Sequence, residues 1–200
     1  MSLFKRFLKG NKSSEEPLQP ADHSKYFPEE KMPIDEKFTY NFNKNGGKFL
    51  YCENWEEIKE AFDNILQENN WFEKEVFCFS EQLKDEFDGY GLKFSTSEQA
   101  SFALIECESL IANNGSILLS SNQIKEKKLN ELPANLVIFA TTSKLVDNIS
   151  EGMRIIKNTS RANIPSNITT VQDFESNKEK DFMSYGSSTK NLYLLLLEDL

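Results

Sequence analysis

Two glycine-containing loops are the parts of this sequence best suited to bind a ligand. The first loop contains Asn114, Gly115 and Ser116 between two apolar segments. The second loop combines a glycine and hydroxyls with a lysine, and such a loop can hold an anion through its backbone N–H groups and its cation. Its candidate residues are Gly186, Ser187, Ser188 and Lys190. Neither loop has the glycine spacing of a P-loop or of a dinucleotide-binding fingerprint, and taken alone such loops are more common as plain turns.

Glu106 and Glu108, which flank Cys107, are the residues best placed for acid–base chemistry. In a strand, both carboxylates would lie on one face and the thiol on the other, because side chains alternate. Glu108 is close to the first loop, so it is the candidate general base, with solvation at the rim of a sheet as the alternative. The chain has one histidine, His23, in a polar stretch. No neighbouring imidazole is therefore expected to activate Cys107 as a nucleophile.

The composition excludes several classes of function. The chain has 23 basic and 32 acidic residues and a formal net charge of −9, and such a surface repels the phosphates of nucleic acids. Its three cysteines have no CxxC spacing, which disfavours a disulfide scaffold, a zinc ribbon or an iron–sulfur cluster held by this chain alone. We therefore expect no metal site and no cofactor, and we expect Cys78 to be a buried core thiol.

Residues 1–36 are predicted to form a flexible arm. Met1–Gly10, called here the basic decamer, has Leu3, Phe4, Phe7 and Leu8 at helical spacing, with Lys5, Arg6 and Lys9 among them. It is either an amphipathic segment for an anionic membrane or a partner groove, or a frayed basic terminus. The rest of the arm is rich in proline and charged residues, as linkers are. No stretch approaches about 20 apolar residues, so we expect no transmembrane segment.

Residues 37–200 are predicted to form one folded domain of strands and helices. Phe38, Tyr40 and Phe42 alternate as in a strand. A helix from Trp55 to Asn69 is indicated by its apolar spacing and by a capping box that begins at Asn54. The dipeptide Asn114–Gly115 predicts a hairpin between its two flanking apolar segments.

The second half of the domain is predicted to contain two strongly apolar strands and one helix. Residues 135–140 and 192–197 are apolar runs of the kind found in strands buried on both faces. The residues Thr141–Ser143 are expected to cap a helix whose apolar face is formed by Leu145, Val146, Ile149, Met153 and Ile156. Strands that alternate with helices predict an α/β fold, a layered mixed sheet flanked by helices.

The order of these segments resembles the LUD (lactate-utilisation) domain, a family that includes lactate utilisation protein B/C-like proteins. Residues 107–116, followed by Ile117–Leu119, are similar to the family pattern Ala-Asp-x-x-Ile-Ala-Glu-Thr-Gly-Thr before an apolar strand. Gly186 and Ser188 match two positions of the closing motif Gly-Pro-Ser-Arg-Thr-Ala-Asp, and residues 192–199 resemble the terminal strand. The similarity extends from Phe38 to Leu200.

The resemblance implies a fold similar to that of the sugar-phosphate isomerases, CoA-transferases and formyltetrahydrofolate cyclo-ligases. It also implies a cytoplasmic role in the oxidation of lactate to pyruvate together with iron–sulfur partner subunits. Asn113 and Asn114 replace the Glu and Thr of the family pattern, and Thr189 stands where the closing motif has Arg. The family site therefore carries over only as a location around Gly115, Ser116, Gly186 and Ser188.

Two functions follow from these residues. The first, which the resemblance implies, is an accessory LUD-domain protein that binds partners or a small anionic ligand and is expected to be non-catalytic. The alternative is a small-molecule enzyme, an isomerase or transferase acting on a phosphate or CoA ester, with Glu108 and the loop around Gly186 as its site.

Overall fold

Alternating apolar runs and capped helical segments fold into two β-sheets with helices on both sides. The structure is a computed structural model and describes residues 32–160, 164–172, 174 and 190–199. The helices are α1 (Ile34–Lys44), α2 (Trp55–Asn69), α3 (Glu81–Glu86), α4 (Ser121–Ile124) and α5 (Ile149–Thr159), with short 3-10 turns at Leu129–Glu131 and Thr142–Lys144. The strands are β1 (Lys48–Cys52), β2 (Glu75–Phe77), β3 (Lys93–Ser95), β4 (Phe102–Glu106), β5 (Ser109–Ile111), β6 (Ser116–Ser120), β7 (Asn135–Thr141), β8 (Leu145–Val146), β9 (Ile168–Val171) and β10 (Asn191–Leu197).

The main sheet has six parallel strands in the order β1-β10-β7-β4-β2-β3. Its central strands β7 and β10 are almost fully buried, because both of their faces are covered by other elements. Helices α2 and α3 pack on one face, around Phe62 and Phe102. Helix α1 and the second sheet pack on the other face, around Phe42 and Ile138. These layers confirm the predicted α/β architecture.

The second sheet has four strands in the order β8-β5-β6-β9 and is mixed. Strands β5 and β6 form the antiparallel hairpin predicted from Asn114–Gly115, β8 pairs with β5 in parallel, and β9 pairs with β6 in antiparallel. Helix α5 covers this sheet, where Gly152 allows a close approach to Leu118. After β4 the chain leaves the main sheet and forms β5 and β6 of the second sheet. It returns to the main sheet at β7 and enters the second sheet again at β8.

The predicted strand around Phe38 is wrong, because residues 34–44 form helix α1. Phe38 and Phe42 are fully buried, whereas Tyr40 is 59% exposed. A separation of four residues brings two side chains to the same helix face, so the pair fits a helix as well as a strand. Helix α1 begins at Ile34, three residues before the predicted start of the domain.

The predicted helix face that begins at Leu145 is also wrong in its first half. Leu145 and Val146 form strand β8, and helix α5 begins at Ile149, after an Asn148 cap whose side chain accepts a hydrogen bond from the Glu151 amide. Residues 141–143 therefore do not cap this helix. Ile149 and Met153 are 46% and 41% exposed, so the face of α5 that packs on the second sheet is the one that carries Gly152 and Ile156.

Helix α2 and the buried strands occur where the sequence places them. Asn54 caps the helix by accepting a hydrogen bond from the Glu57 amide. The Glu57 carboxylate accepts its backbone bond from Glu53, one residue before the cap, so the reciprocal half of the predicted capping box is displaced by one residue. The basic decamer and the proline-rich part of the arm lie outside the described residues. In the part of the chain that the structure describes, no helix is long and apolar enough to cross a membrane.

Candidate functional site

The carboxyl ends of the parallel strands bring polar residues together at one edge of the main sheet. Ligands of open α/β sheets bind at this edge, in the crevice beyond the strand ends. Strand β4 leads to Glu108, β7 leads to the 3-10 turn Thr142–Lys144, and β10 leads to Asp199. We call this region the carboxyl-edge site and define it by Glu108, Lys144 and Asp199.

Glu108 is held in one position by three side chains. Its Oε1 accepts hydrogen bonds from the Ser120 hydroxyl, from Asn122 Nδ2 at 2.9 Å and from Gln123 Nε2 at 3.0 Å. Ser120 is the last residue of β6 and caps α4, which explains why all three donors come from one short segment. Among the described residues, none donates a hydrogen bond to Oε2 of Glu108. One oxygen of the carboxylate is thus fixed, and the other accepts no hydrogen bond from the described residues.

The environment of Glu108 favours the ionised carboxylate. Partial burial raises the pKa of this carboxyl, but the hydrogen bonds from Ser120, Gln123 and Asn122 and the charge of Lys144 outweigh burial, so the pKa lies below its usual value. An ionised carboxylate with a low pKa is a weak base at neutral pH. It is well suited to accept a hydrogen bond from a ligand or to neutralise a cation.

Asp199 fixes the turn that carries Lys144. It accepts hydrogen bonds from the Thr142 hydroxyl at 2.8 Å, the Ser143 amide at 2.8 Å and the Ser143 hydroxyl at 2.6 Å. Burial raises its pKa, but these bonds, with a weaker one from Thr141, lower it overall. Asp199 is not among the site residues predicted from the sequence. The sequence feature that could have indicated its role is the hydroxyl run Thr141–Ser143, which donates hydrogen bonds to this carboxylate instead of capping a helix.

The cysteines are core residues without activated thiols. Cys52, Cys78 and Cys107 are all buried and reduced, and burial raises their pKa values to about 11, 11 and 12. Thiolates are the reactive form of cysteine, so these thiols are poor nucleophiles at neutral pH. This confirms the expectation for Cys78. Among the described residues, no three or more His, Cys, Asp or Glu side chains are grouped so as to hold a metal ion.

The first predicted loop lies at the other end of the β5–β6 hairpin from Glu108. Its backbone carbonyls accept hydrogen bonds from helix α1: Asn45 Nδ2 donates to the carbonyls of Asn114, at 2.7 Å, and Gly115, at 3.3 Å. Within the loop, Asn114 Oδ1 accepts hydrogen bonds from the amide and hydroxyl of Ser116. The polar groups of this turn are thus used in packing it against α1. Ligand binding by Asn114, Gly115 and Ser116 stays a prediction.

The second predicted loop is described only at its last candidate residue, Lys190. This side chain is 3% exposed, and its ammonium donates to the carbonyls of Leu132 at 2.8 Å and Pro133 at 3.2 Å. Burial lowers its pKa. Lys190 precedes β10, so it lies at the amino edge of the sheet, opposite the carboxyl-edge site. Gly186, Ser187 and Ser188 lie outside the described residues, and their role stays a prediction.

Replacing Glu108 with glutamine is expected to destabilise the protein by roughly 1 kcal/mol at pH 7, because hydrogen bonds to a charged, half-buried acceptor are lost. The folded pKa of Glu108 lies below the ordinary value of 4.5. Its stabilisation is therefore complete above about pH 4.5 and is lost as the pH falls through the folded pKa. Urea unfolding of wild type and E108Q at pH 7 and at pH 3 measures this. A stability difference that stays constant with pH would contradict the assignment.

Comparisons with known proteins agree with this architecture. The family model for the LUD domain matches residues 92–196, which is more than half of the chain. A crystal structure of a DUF162 family protein from Deinococcus radiodurans aligns with a TM-score of 0.60 at 13% identity, over 83% of this chain and 96% of that one, which shows a shared fold. No curated protein matches the sequence. The model match includes Glu108, Lys144 and the 114–116 turn, and the chain belongs to the LUD-domain family.

Proposed function

We propose that this protein is an accessory component of the oxidation of lactate to pyruvate in the cytoplasm. It binds the hydroxy acid and acts together with iron–sulfur partner subunits. The observation that supports this best is the combination of an open carboxylate oxygen on Glu108 with the neighbouring cation Lys144 at the carboxyl edge of the sheet. Membership of the LUD-domain family supports the same role.

The two charges suit the two polar groups of a 2-hydroxy acid. Lys144 is exposed and follows strand β7, so its ammonium is available to a ligand carboxylate. Oε2 of Glu108 accepts the hydrogen bond of the adjacent ligand hydroxyl. Because the pKa of Glu108 is low, this carboxylate positions the hydroxyl better than it removes a proton. The site therefore supports ligand binding more strongly than catalysis by this chain.

The partner subunits complete the reaction. Conversion of lactate to pyruvate removes two electrons and two protons, so the electrons need an acceptor. The proposal assigns that acceptor to the iron–sulfur clusters of the partners. On this proposal the protein presents or retains the acid beside them.

Calorimetric titration of the full chain tests the ligand. We expect L- or D-lactate to bind. Propionate, which lacks the hydroxyl, should bind at least about tenfold more weakly, since a lost hydrogen bond to a charged group is worth about 1.5–3 kcal/mol. Lys144→Met should abolish binding. Lys93→Met is the matched control, because Lys93 is an exposed lysine at the amino end of edge strand β3. Equal binding of lactate by both variants would contradict the proposed site.

A second measurement tests the partners. The tagged full chain is purified gently from lactate-grown cells, and iron and acid-labile sulfide are measured in the purified fraction. Both should copurify with the protein, and deletion of its gene should stop growth on lactate but not on pyruvate. An isolated monomer and normal growth on lactate would overturn the proposal.

If acyl-CoA or a sugar phosphate raises the Tm of the protein and lactate does not, the enzyme alternative replaces the lactate proposal.

A further inference from the structure

A groove of about 510 Å³ runs between edge strand β1 and helix α2, on the far side of β10 from β7. We call it the acidic groove. Its floor is apolar and includes Leu50, Ala61 and Ile65. Its rim carries three carboxylates, Glu57, Glu60 and Glu68. Glu57 and Glu60 are three residues apart and Glu68 follows eight residues later, just over two helical turns, so all three lie on one side of α2.

The groove has an excess of negative charge. The one lysine in its lining, Lys48, pairs with Glu68 at 3.2 Å and donates a hydrogen bond to the Tyr193 hydroxyl at 2.6 Å. Glu60 is exposed and has no ion-pair partner among the described residues. The negative charge of the rim also acts on the buried Cys52, whose pKa is raised mainly by burial and further by Glu57 and Glu60. An occupant of this groove should therefore combine apolar side chains with cations.

The basic decamer has that chemistry. Leu3, Phe4, Phe7 and Leu8 provide apolar side chains at helical spacing, and its three cations are Lys5, Arg6 and Lys9. Residues 11–33 connect it to helix α1, which packs beside β1. If this segment is the flexible linker that the sequence predicts, it spans on the order of 25 Å and keeps its end at an effective concentration on the order of millimolar. Even weak affinity is then enough for the groove to be occupied.

We propose that the basic decamer docks in the acidic groove of its own chain. Its apolar residues cover Leu50, Ala61 and Ile65, and its cations pair with the carboxylates of the rim. The proposal is independent of the function proposed for the carboxyl-edge site. It gives the decamer an intramolecular role in place of a membrane-binding one.

A spin label on the decamer tests the docking in the full chain. The three native cysteines are buried, with raised pKa values, so Ser2→Cys introduces the one reactive thiol needed for a nitroxide. We expect the label to broaden the amide signals of residues 48–52 and 57–68 selectively, with those of helix α5 unaffected. Broadening should weaken at high salt, because the contact is partly ionic. No selective broadening, or broadening centred elsewhere, would overturn the proposal.

Charge reversal provides the matched control. K5E/R6E/K9E in the spin-labelled chain should remove the broadening, and adding Glu60→Lys should restore part of it. Glu60 is an exposed position on α2, so this change leaves the fold intact, which the dispersion of the amide signals verifies. Broadening of an isotope-labelled chain by a separate spin-labelled copy would assign the occupant to a second molecule and overturn the intramolecular contact. Flotation with phosphatidylglycerol vesicles without groove broadening would establish a membrane segment instead.

Discussion

Replacing Gly115 with alanine is expected to destabilise the protein by roughly 2–5 kcal/mol. Two costs add. Gly115 has a φ of +66°, and the left-handed conformation costs an L-residue about 1–2 kcal/mol. A Cβ at this position would also overlap the backbone of helix α1 at Asn41 and Phe42, and overpacking costs about 1–3 kcal/mol. Backbone atoms cannot rotate away as a flexible side chain can, so α1 or the hairpin must shift.

Gly89 provides the matched control for this measurement. Its φ is also positive, at +99°, but a Cβ there would meet nothing within 4 Å. Gly89→Ala therefore incurs the backbone cost alone, about 1–2 kcal/mol. Urea unfolding of both variants separates the two contributions. If Gly115→Ala and Gly89→Ala destabilise the protein equally, the close contact between the hairpin and α1 is not the reason for glycine at position 115.

Gly115 shows which features a local sequence motif can predict and which it cannot. The Asn-Gly dipeptide predicts the hairpin, because it depends on backbone conformation within a few residues. The resemblance to the LUD-domain pattern also predicts this glycine to be part of a ligand site, which stays a prediction. In the structure it allows the turn to touch α1, an element some 70 residues earlier in the chain. Distant packing of this kind leaves no sign in the residues around the turn.

Other predictions succeeded or failed for the same reason. Helix α2 was predictable because Asn54 and Glu57 cap it locally, and β10 because its apolar run is long enough to be buried on both faces. The site around Asp199 was not predictable, because its hydrogen-bond partners Thr142 and Ser143 lie 57 and 56 residues away in the sequence. Strand β8 has two residues and exists only because β5 pairs with it, so its sequence is equally compatible with the start of a helix.

Helix α1 is the clearest case of a local pattern with two solutions. A strand predicts that Phe38, Tyr40 and Phe42 share one face, whereas a helix places only Phe38 and Phe42 together. The phenylalanines are fully buried, and their rings lie 5.2 Å apart. Pro33 is the N-cap residue of the helix, a position where the missing N–H of proline removes no helical hydrogen bond. The difference between the two solutions is thus the burial of a single residue, Tyr40.

Phe42→Ala should destabilise the protein by about 3–5 kcal/mol, the usual cost of truncating a buried aromatic side chain. The Phe42 ring is fully buried, stacks on Phe38 and lies 4.9 Å from the Phe174 ring, so its removal leaves a cavity between α1 and the main sheet. Tyr40→Ala, on the same helix but 59% exposed, should cost less than about 1 kcal/mol. Denaturant unfolding of both variants measures the contrast. Comparable losses would mean that Tyr40 is buried beside Phe42, as in a strand, and that α1 does not form as described.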